Sequence, residues 1–225
     1  MMRSFAGRTF VLRIDRSPID ERTTLADDLA FLMQRGVRPI VVAPTVDLAR
    51  TYVRTLNRQT NIAVGLSGAD AALLPAGPSD AVGRVQPAIL ATLTEAGYIP
   101  VIEPTALGLG GHDVEICADD VAAAIAAATD AARAIFFHVS GGVFDPASQA
   151  LLAELTPAEA LALAEEGALD PDLCAAVRAA AHGVRGGVGA AQIFDGRIAH
   201  AAIVEFLTEY HLGTQVAGTV FRATA

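Results

Sequence analysis

The chain has 225 residues, 52% of them hydrophobic, with no Trp and a formal net charge of −9. That length suffices for one substantial domain, and the hydrophobic fraction excludes a disordered chain. The negative balance gives a nucleic-acid role no electrostatic support.

Two cysteines, Cys117 and Cys174, lack CxxC spacing and a nearby His pair, so neither a metal site nor a structural disulfide is expected. The first ten residues hold no apolar run of signal-peptide length, and charges interrupt each Ala-rich run before membrane-spanning length. A soluble, cytoplasmic protein with no membrane contact is the expectation. Arg50, Arg54 and Arg58 recur at helical spacing and read as a solvated face.

Arg8 to Ile14 is rich in β-formers and reads as a first strand, followed by a polar loop through Pro18. Apolar residues at 25, 29 and 32 predict a helix from Leu25 to Arg35, stopped by Gly36. Pro39 to Val42 is a short buried strand, Leu48 to Asn57 a helix and Asn61 to Leu66 another strand. Gln86 to Glu95 reads as a helix opened by Pro87 and closed before Gly97. Tyr98 to Ile102 is then a buried strand. A Gly-rich loop follows, Leu107 to Gly111, and Asp119 and Asp120 open an Ala-rich helix. Ala134 to Val139 is a strand leaving into the turn Ser140-Gly141-Gly142. Thr156 to Glu159 forms a capping box before a helix, and Asp172 to His182 is a second Ala-rich helix. Ala190 to Phe194 reads as a strand, His200 to Leu207 as a helix and Gly213 to Val220 as a closing strand or hairpin. The alternation predicts an α/β fold, a mostly parallel sheet with helices on both faces, in one domain without repeats.

Ligands in open α/β sheets sit outside the carboxyl ends of strands, near helix N-termini, so a reactive centre is expected between Gly97 and Ala128. The other reading is that its glycines turn the chain and its aspartates cap a helix.

FAGRTFVLR (5–13), AVGLSGADAALL (63–74), QPAILATLTEAGYIPVIEP (86–104), ICADDVAAAIAAA (116–128), LLAELTPAEA (151–160) and IFDGRIAHAAIVEFLTEYHLGT (193–214) resemble the amino-acid kinase family, and within it the acetylglutamate kinases. The resemblance covers nearly the whole chain. It implies a three-layer αβα sandwich with an open sheet, an amino-acid-site lobe at about 1–132 and a nucleotide-site lobe at about 133–225. It also implies transfer of the ATP γ-phosphoryl to an amino-acid carboxylate, with Mg as counter-ion, and a homodimer. Only about seven residues precede the first strand, which argues against the ring-shaped hexamer of arginine-sensitive members.

Carried over by position, the first-strand lysine falls on Arg13 and the aspartate that organises the catalytic lysines on Asp119. The glycines after the first strand fall on Asp15 and Arg16, and the H-G-G-G turn on Ala43 to Val46, where Pro44 offers no N–H. Thr45 and Gly65 stand at substrate-side positions. The asparagine that holds the substrate carboxylate falls on Glu115, which would repel it. The second lysine falls on Ala176, and the chain contains no Lys at all. The family's longer segment with a substrate-gripping arginine is missing between Asn57 and Ile62. His138 and the Ser140-Gly141-Gly142 turn take nucleotide-side positions, the other readings being a structural strand-end histidine and glycines that serve the backbone turn alone. Glu205 and Gly213 match effector positions, with a helix surface charge as the other reading of Glu205. His200 is expected to pack and hydrogen-bond near the C-terminal helix.

One charge-assisted contact to a transferring phosphoryl group is worth roughly 3–4 kcal/mol, about two to three decades in rate. The replacements therefore predict an impaired kinase or a pseudokinase. It would bind a small amino-acid-type ligand, a nucleotide or a paralogous kinase subunit. The alternative is an active kinase centred on Arg13 and Asp119, acting on acetylglutamate or on a changed acceptor.

Overall fold

A computed structural model describes residues 5–15, 25–59, 61–207 and 212–218. In chain order they form β1 (Thr9–Arg13), α1 (Leu25–Gln34), β2 (Arg38–Val42), α2 (Val46–Gln59), β3 (Ala63–Leu66), α3 (Ala88–Glu95) and β4 (Ile99–Ile102). Next come β5 (Thr105–Leu107), β6 (Asp113–Glu115), α4 (Ala118–Ala128), β7 (Arg133–Phe137), β8 (Glu154–Leu155) and α5 (Pro157–Glu165). The last are α6 (Pro171–Arg185), β9 (Ala191–Phe194), α7 (Ala201–Leu207) and β10 (Thr214–Val216).

Eight strands make one sheet in the order β3-β4-β2-β1-β7-β9-β10-β8, parallel throughout except where β10 runs against β9. Apolar side chains on both faces of each central strand demand cover on both sides, and the helices supply it. Val11, Ile40, Phe136 and Ile193 point into a core closed by α3, α4, α5 and α6. Their neighbours Phe10, Leu12, Val41, Ile135 and Phe194 point the other way, under α1, α2 and α7. The three-layer αβα sandwich expected from the sequence is the observed fold.

Small residues let α4 and α6 approach closely. A Cβ on Gly183 would lie 3.7 Å from the Ala123 side chain. On the other face Phe10 meets Phe5 and Phe206 edge-on, with centroids 5.0 and 4.9 Å apart, which fastens α7 to the sheet. The capping box forms as predicted: Thr156 Oγ1 accepts from the Glu159 N–H, and Glu159 Oε2 accepts from the Thr156 N–H.

Three differences from the sequence reading are local. The Gly-rich stretch is the tip of a two-stranded hairpin, β5 with β6, rather than a plain loop. The segment before Thr156 adds a two-residue edge strand, β8, too short for any periodicity to reveal. The closing strand is Thr214–Val216, and residues 219 and 220 of its predicted span, like Pro18 in the loop after the first strand, lie outside the described residues.

Candidate functional site

β1 sits between β2 and β7, and the chain departs from it in opposite directions, first to β2 and later to β7. A crevice outside the strand ends is expected at such a reversal. Alternation along β1 sends Phe10 and Leu12 to the α1–α2 side and Val11 and Arg13 to the α4 side. Arg13, the last residue of β1, therefore reaches the first turn of α4.

There it meets Asp119. Arg13 Nη2 donates to Asp119 Oδ2 at 3.1 Å, and Nη1 donates to the Phe137 carbonyl at 3.4 Å. Arg13 Nε lies 2.9 Å from Asp119 Oδ1 but out of hydrogen-bond alignment, so neither atom has an aligned partner. Both residues are buried, Arg13 at 7% and Asp119 at 3% exposure. Burial pushes the Asp119 carboxyl above the usual carboxylate range, and the Arg13 charge and hydrogen bond offset part of that rise. The Cys117 thiol, 3.8 Å from Asp119 Oδ2, is itself pushed up by burial.

The end of β7 carries the second set. His138 is buried, and its Nδ1 accepts from the Ser140 N–H at 3.1 Å, so a neutral imidazole holds its proton on Nε2. Ser140 Oγ lies 2.9 Å from the same nitrogen and donates to the Gly142 carbonyl at 2.8 Å. Gly141 and Gly142 have φ of +75° and +146°. A Cβ on Gly142 would come within 2.7 Å of Leu151 and 3.0 Å of Gly213 Cα. Gly213 (φ +69°) is equally confined, with room for a Cβ only 2.1 Å from the Ile193 carbonyl and 2.7 Å from that of Gly141. The turn at 140–142 and Gly213, assigned to different sites by sequence, are thus packed on each other, and Thr214 Oγ1 accepts the Val143 N–H at 2.8 Å.

The remaining predicted residues lie apart. Thr45 is exposed and caps α2, its Oγ1 accepting from the Leu48 N–H at 3.3 Å. Gly65 lies on edge strand β3 beside Val53. Glu115 is exposed at the end of β6, paired in register with Thr105. Glu205 is no surface charge: it is 6% exposed and its Oε2 accepts the Leu212 N–H at 2.5 Å. His200 Nδ1 lies 2.7 Å from Oδ1 of buried Asp28, which also accepts the Ala202 and Ile203 N–H groups at the start of α7. Ala176 is buried in the second turn of α6, within the apolar core.

Sequence reasoning missed two groups at the same edge. Arg197 forks Asp195, with Nε 2.9 Å from Oδ1 and Nη2 2.7 Å from Oδ2, and donates to the Val139 carbonyl at 3.2 Å. That bond holds Asp195 below the usual carboxylate range and ties the 138–142 turn to the end of β9. Glu103, just beyond β4, lies 3.7 Å from Arg50, and burial raises its carboxyl despite that partner, with Asp113 and Asp70 adding to the rise. The D-G-R triplet was visible as a family mark; its clamp geometry was not.

A triphosphate needs N–H donors and unspent cations. After β2 the described chain offers Ala43-Pro44-Thr45, without a glycine turn, and after β1 it offers Asp15. Arg13 is spent on Asp119, Arg197 on Asp195, and Arg50 faces Glu103. These two turns thus offer no glycine N–H cradle, and these three cations already face carboxylates. No group of three or more His, Cys, Asp or Glu there is placed to hold a metal ion, and no described helix is long and apolar enough to cross a membrane.

The model of the amino acid kinase family matches residues 44–188. The chain belongs to that family. The acetylglutamate kinase of Synechococcus sp. (strain CC9605) is 31% identical over 96% of this chain and 92% of its own length. That of Symbiobacterium thermophilum is 30% identical over 96% and 93%. The first alignment runs over 270 positions against 225 residues here, so insertions separate the two. Among solved structures, N-acetylglutamate synthase from Neisseria gonorrhoeae, complexed with coenzyme A and N-acetyl-glutamate, superposes with a TM-score of 0.80 at 21% identity. It covers 96% of this chain, which spans 61% of that synthase chain. Carbamate kinase from Giardia lamblia bound to AMP-PNP gives 0.69 at 12% identity, covering 95% of this chain and 99% of its own. At these identities the likeness is one of fold.

Proposed function

We infer that this amino acid kinase family member is acetylglutamate-kinase-like in form but catalytically impaired. Its role is to bind a small acyl amino acid or nucleotide, or to serve as a partner subunit of a paralogous kinase. The observation that carries this reading is the buried Arg13–Asp119 pair, which spends the one strand-end cation of β1 on the aspartate meant to organise catalytic lysines. Transfer between two anions depends on positioning and charge neutralisation, and the Arg13 charge is already matched by Asp119. Two lost contacts at two to three decades each predict a rate lowered by roughly four to six decades.

The test is hydroxylamine trapping of acyl phosphate from N-acetyl-L-glutamate and MgATP by the purified chain. A hydroxamate yield at the blank level is expected, and robust ATP-dependent formation would overturn the reading. A thermal-shift screen with nucleotides, acyl amino acids and arginine identifies the ligand, since only what binds the folded state raises its stability.

A second reading is favoured by the ordered His138–Gly142 turn on the nucleotide side: a kinase that keeps ATP and has changed its acceptor. Calorimetry showing no heat with MgATP removes that alternative. Two lobes divided near residue 132, a homodimer and a cytoplasmic location accompany both readings.

A further inference from the structure

A cavity of about 380 Å3 opens at the amino edge of the sheet, opposite the strand ends that carry Arg13. It lies between α3 and the C-terminal end of α4, over the first residues of β1 and β2. Ile40 and Leu90, both buried, supply an apolar floor. Four polar side chains line it without being used up by the fold. Arg38 makes one exposed contact, Nη1 to Glu95 Oε1 at 3.3 Å, and its other donors have no partner among the described residues. The Asp130 carboxylate, the Thr9 hydroxyl and the Gln86 amide have none there either.

The charges are laid out with opposite signs on opposite walls. Asp130 follows Thr129, the C-cap of α4, where the negative end of the helix dipole adds to its carboxylate, so that wall favours a cation. Arg38 opens β2 and favours an anion. Thr9 separates them: it is paired in register with Arg38, and its carbonyl accepts the Ala132 N–H at 2.9 Å. β1 therefore stands between the strand that Arg38 opens and the segment that leads from α4 into β7. An α-amino acid carries an ammonium and a carboxylate on one carbon, so it can place one charge-assisted hydrogen bond on each wall.

We propose that this cavity binds a free α-amino acid, its carboxylate on Arg38, its ammonium on Asp130 and its side chain on Ile40 and Leu90, toward Gln86. The volume is within the range of small-ligand pockets, and the lining matches their usual pattern of apolar floor and few polar groups. The site is independent of any chemistry at the Arg13 edge and stands whether or not the kinase reading does.

The test is titration calorimetry of the purified chain with each proteinogenic L-amino acid, then with the N-acetyl and amide derivatives of the best binder. Saturable binding with Kd below about 1 mM is expected, weakened about tenfold or more when either the ammonium or the carboxylate is blocked. Arg38→Met and Asp130→Asn should each weaken it by a similar factor with an unchanged circular dichroism spectrum. If one variant fails to fold, the other carries the test. Absence of binding below about 10 mM overturns the proposal, as does equal binding of the blocked derivatives or of both folded variants.

Discussion

Removing either partner of the Arg13–Asp119 pair should cost far more stability than removing both. The side chains are 9% and 4% exposed, so a lone survivor is a charge without water around it. Breaking a buried pair by deleting one partner typically costs about 3–5 kcal/mol, whereas apolar replacement of both is near neutral or stabilising. In a chain of this size each kcal/mol moves Tm by about 2–4 °C, so a single variant should lose roughly 6–20 °C. The geometry argues for the lower cost of the double change, because Arg13 Nε and Asp119 Oδ1 already lack aligned hydrogen bonds. Arg13→Met, Asp119→Leu and the double variant should therefore give a cycle in which the double lies within about 2 kcal/mol of the parent. The two singles should also differ in pH response. A lone Asp119 can escape by taking a proton, so the Arg13→Met cost should shrink on acidification. A lone guanidinium stays charged at any accessible pH, so the Asp119→Leu cost should not. Urea unfolding at pH 5 and pH 7, checked for two-state behaviour, measures all of this. Single costs below about 1 kcal/mol, or a double cost equal to the sum of the singles, would refute the reasoning.

Gly213→Ala should destabilise by about 3 kcal/mol or more, because its Cβ meets the Ile193 carbonyl at 2.1 Å, while Gly141→Ala, strained in φ but unobstructed, should cost only about 1 kcal/mol. Equal losses in urea unfolding contradict the close-packing account of this turn. Burial raises the Asp28 carboxyl despite its bonds from His200, Ala202 and Ile203, so the folded state holds that proton more tightly than the unfolded chain, where the pKa is about 3.9. Stability from this group is complete below about pH 4 and is lost as pH rises through the raised folded value. Asp28→Asn should flatten the stability curve above pH 4, and curves that stay parallel to the parent's between pH 4 and 7 rule the linkage out.

The sheet was legible because its signals are redundant. β1, β2, β4, β7 and β9 are short apolar runs between turn residues, and each is buried on both faces as such runs require. Thr156 and Glu159 mark the start of α5 by side-chain chemistry alone. The pieces that escaped, β5, β6 and β8, are two or three residues long and take their pairing from tertiary context, which no local pattern records.

Of the candidate site, Arg13 and Asp119 were legible one by one, and their pairing was not. Position along the chain put Arg13 at a strand end and Asp119 at a helix start, and topology brings those two ends together over the β1–β7 crevice. Nothing in the sequence says that the guanidinium turns inward, toward Asp119 and the Phe137 carbonyl, rather than out toward an anion. That choice follows from burial: Asp119 is almost wholly removed from water, and a charge there must be matched from within. Glu205 was open to a surface reading for the converse reason, since its partner is a backbone N–H seven residues on. Once Arg13 is committed to Asp119, a glycine turn or an open lysine at this edge would have no organised aspartate to work with.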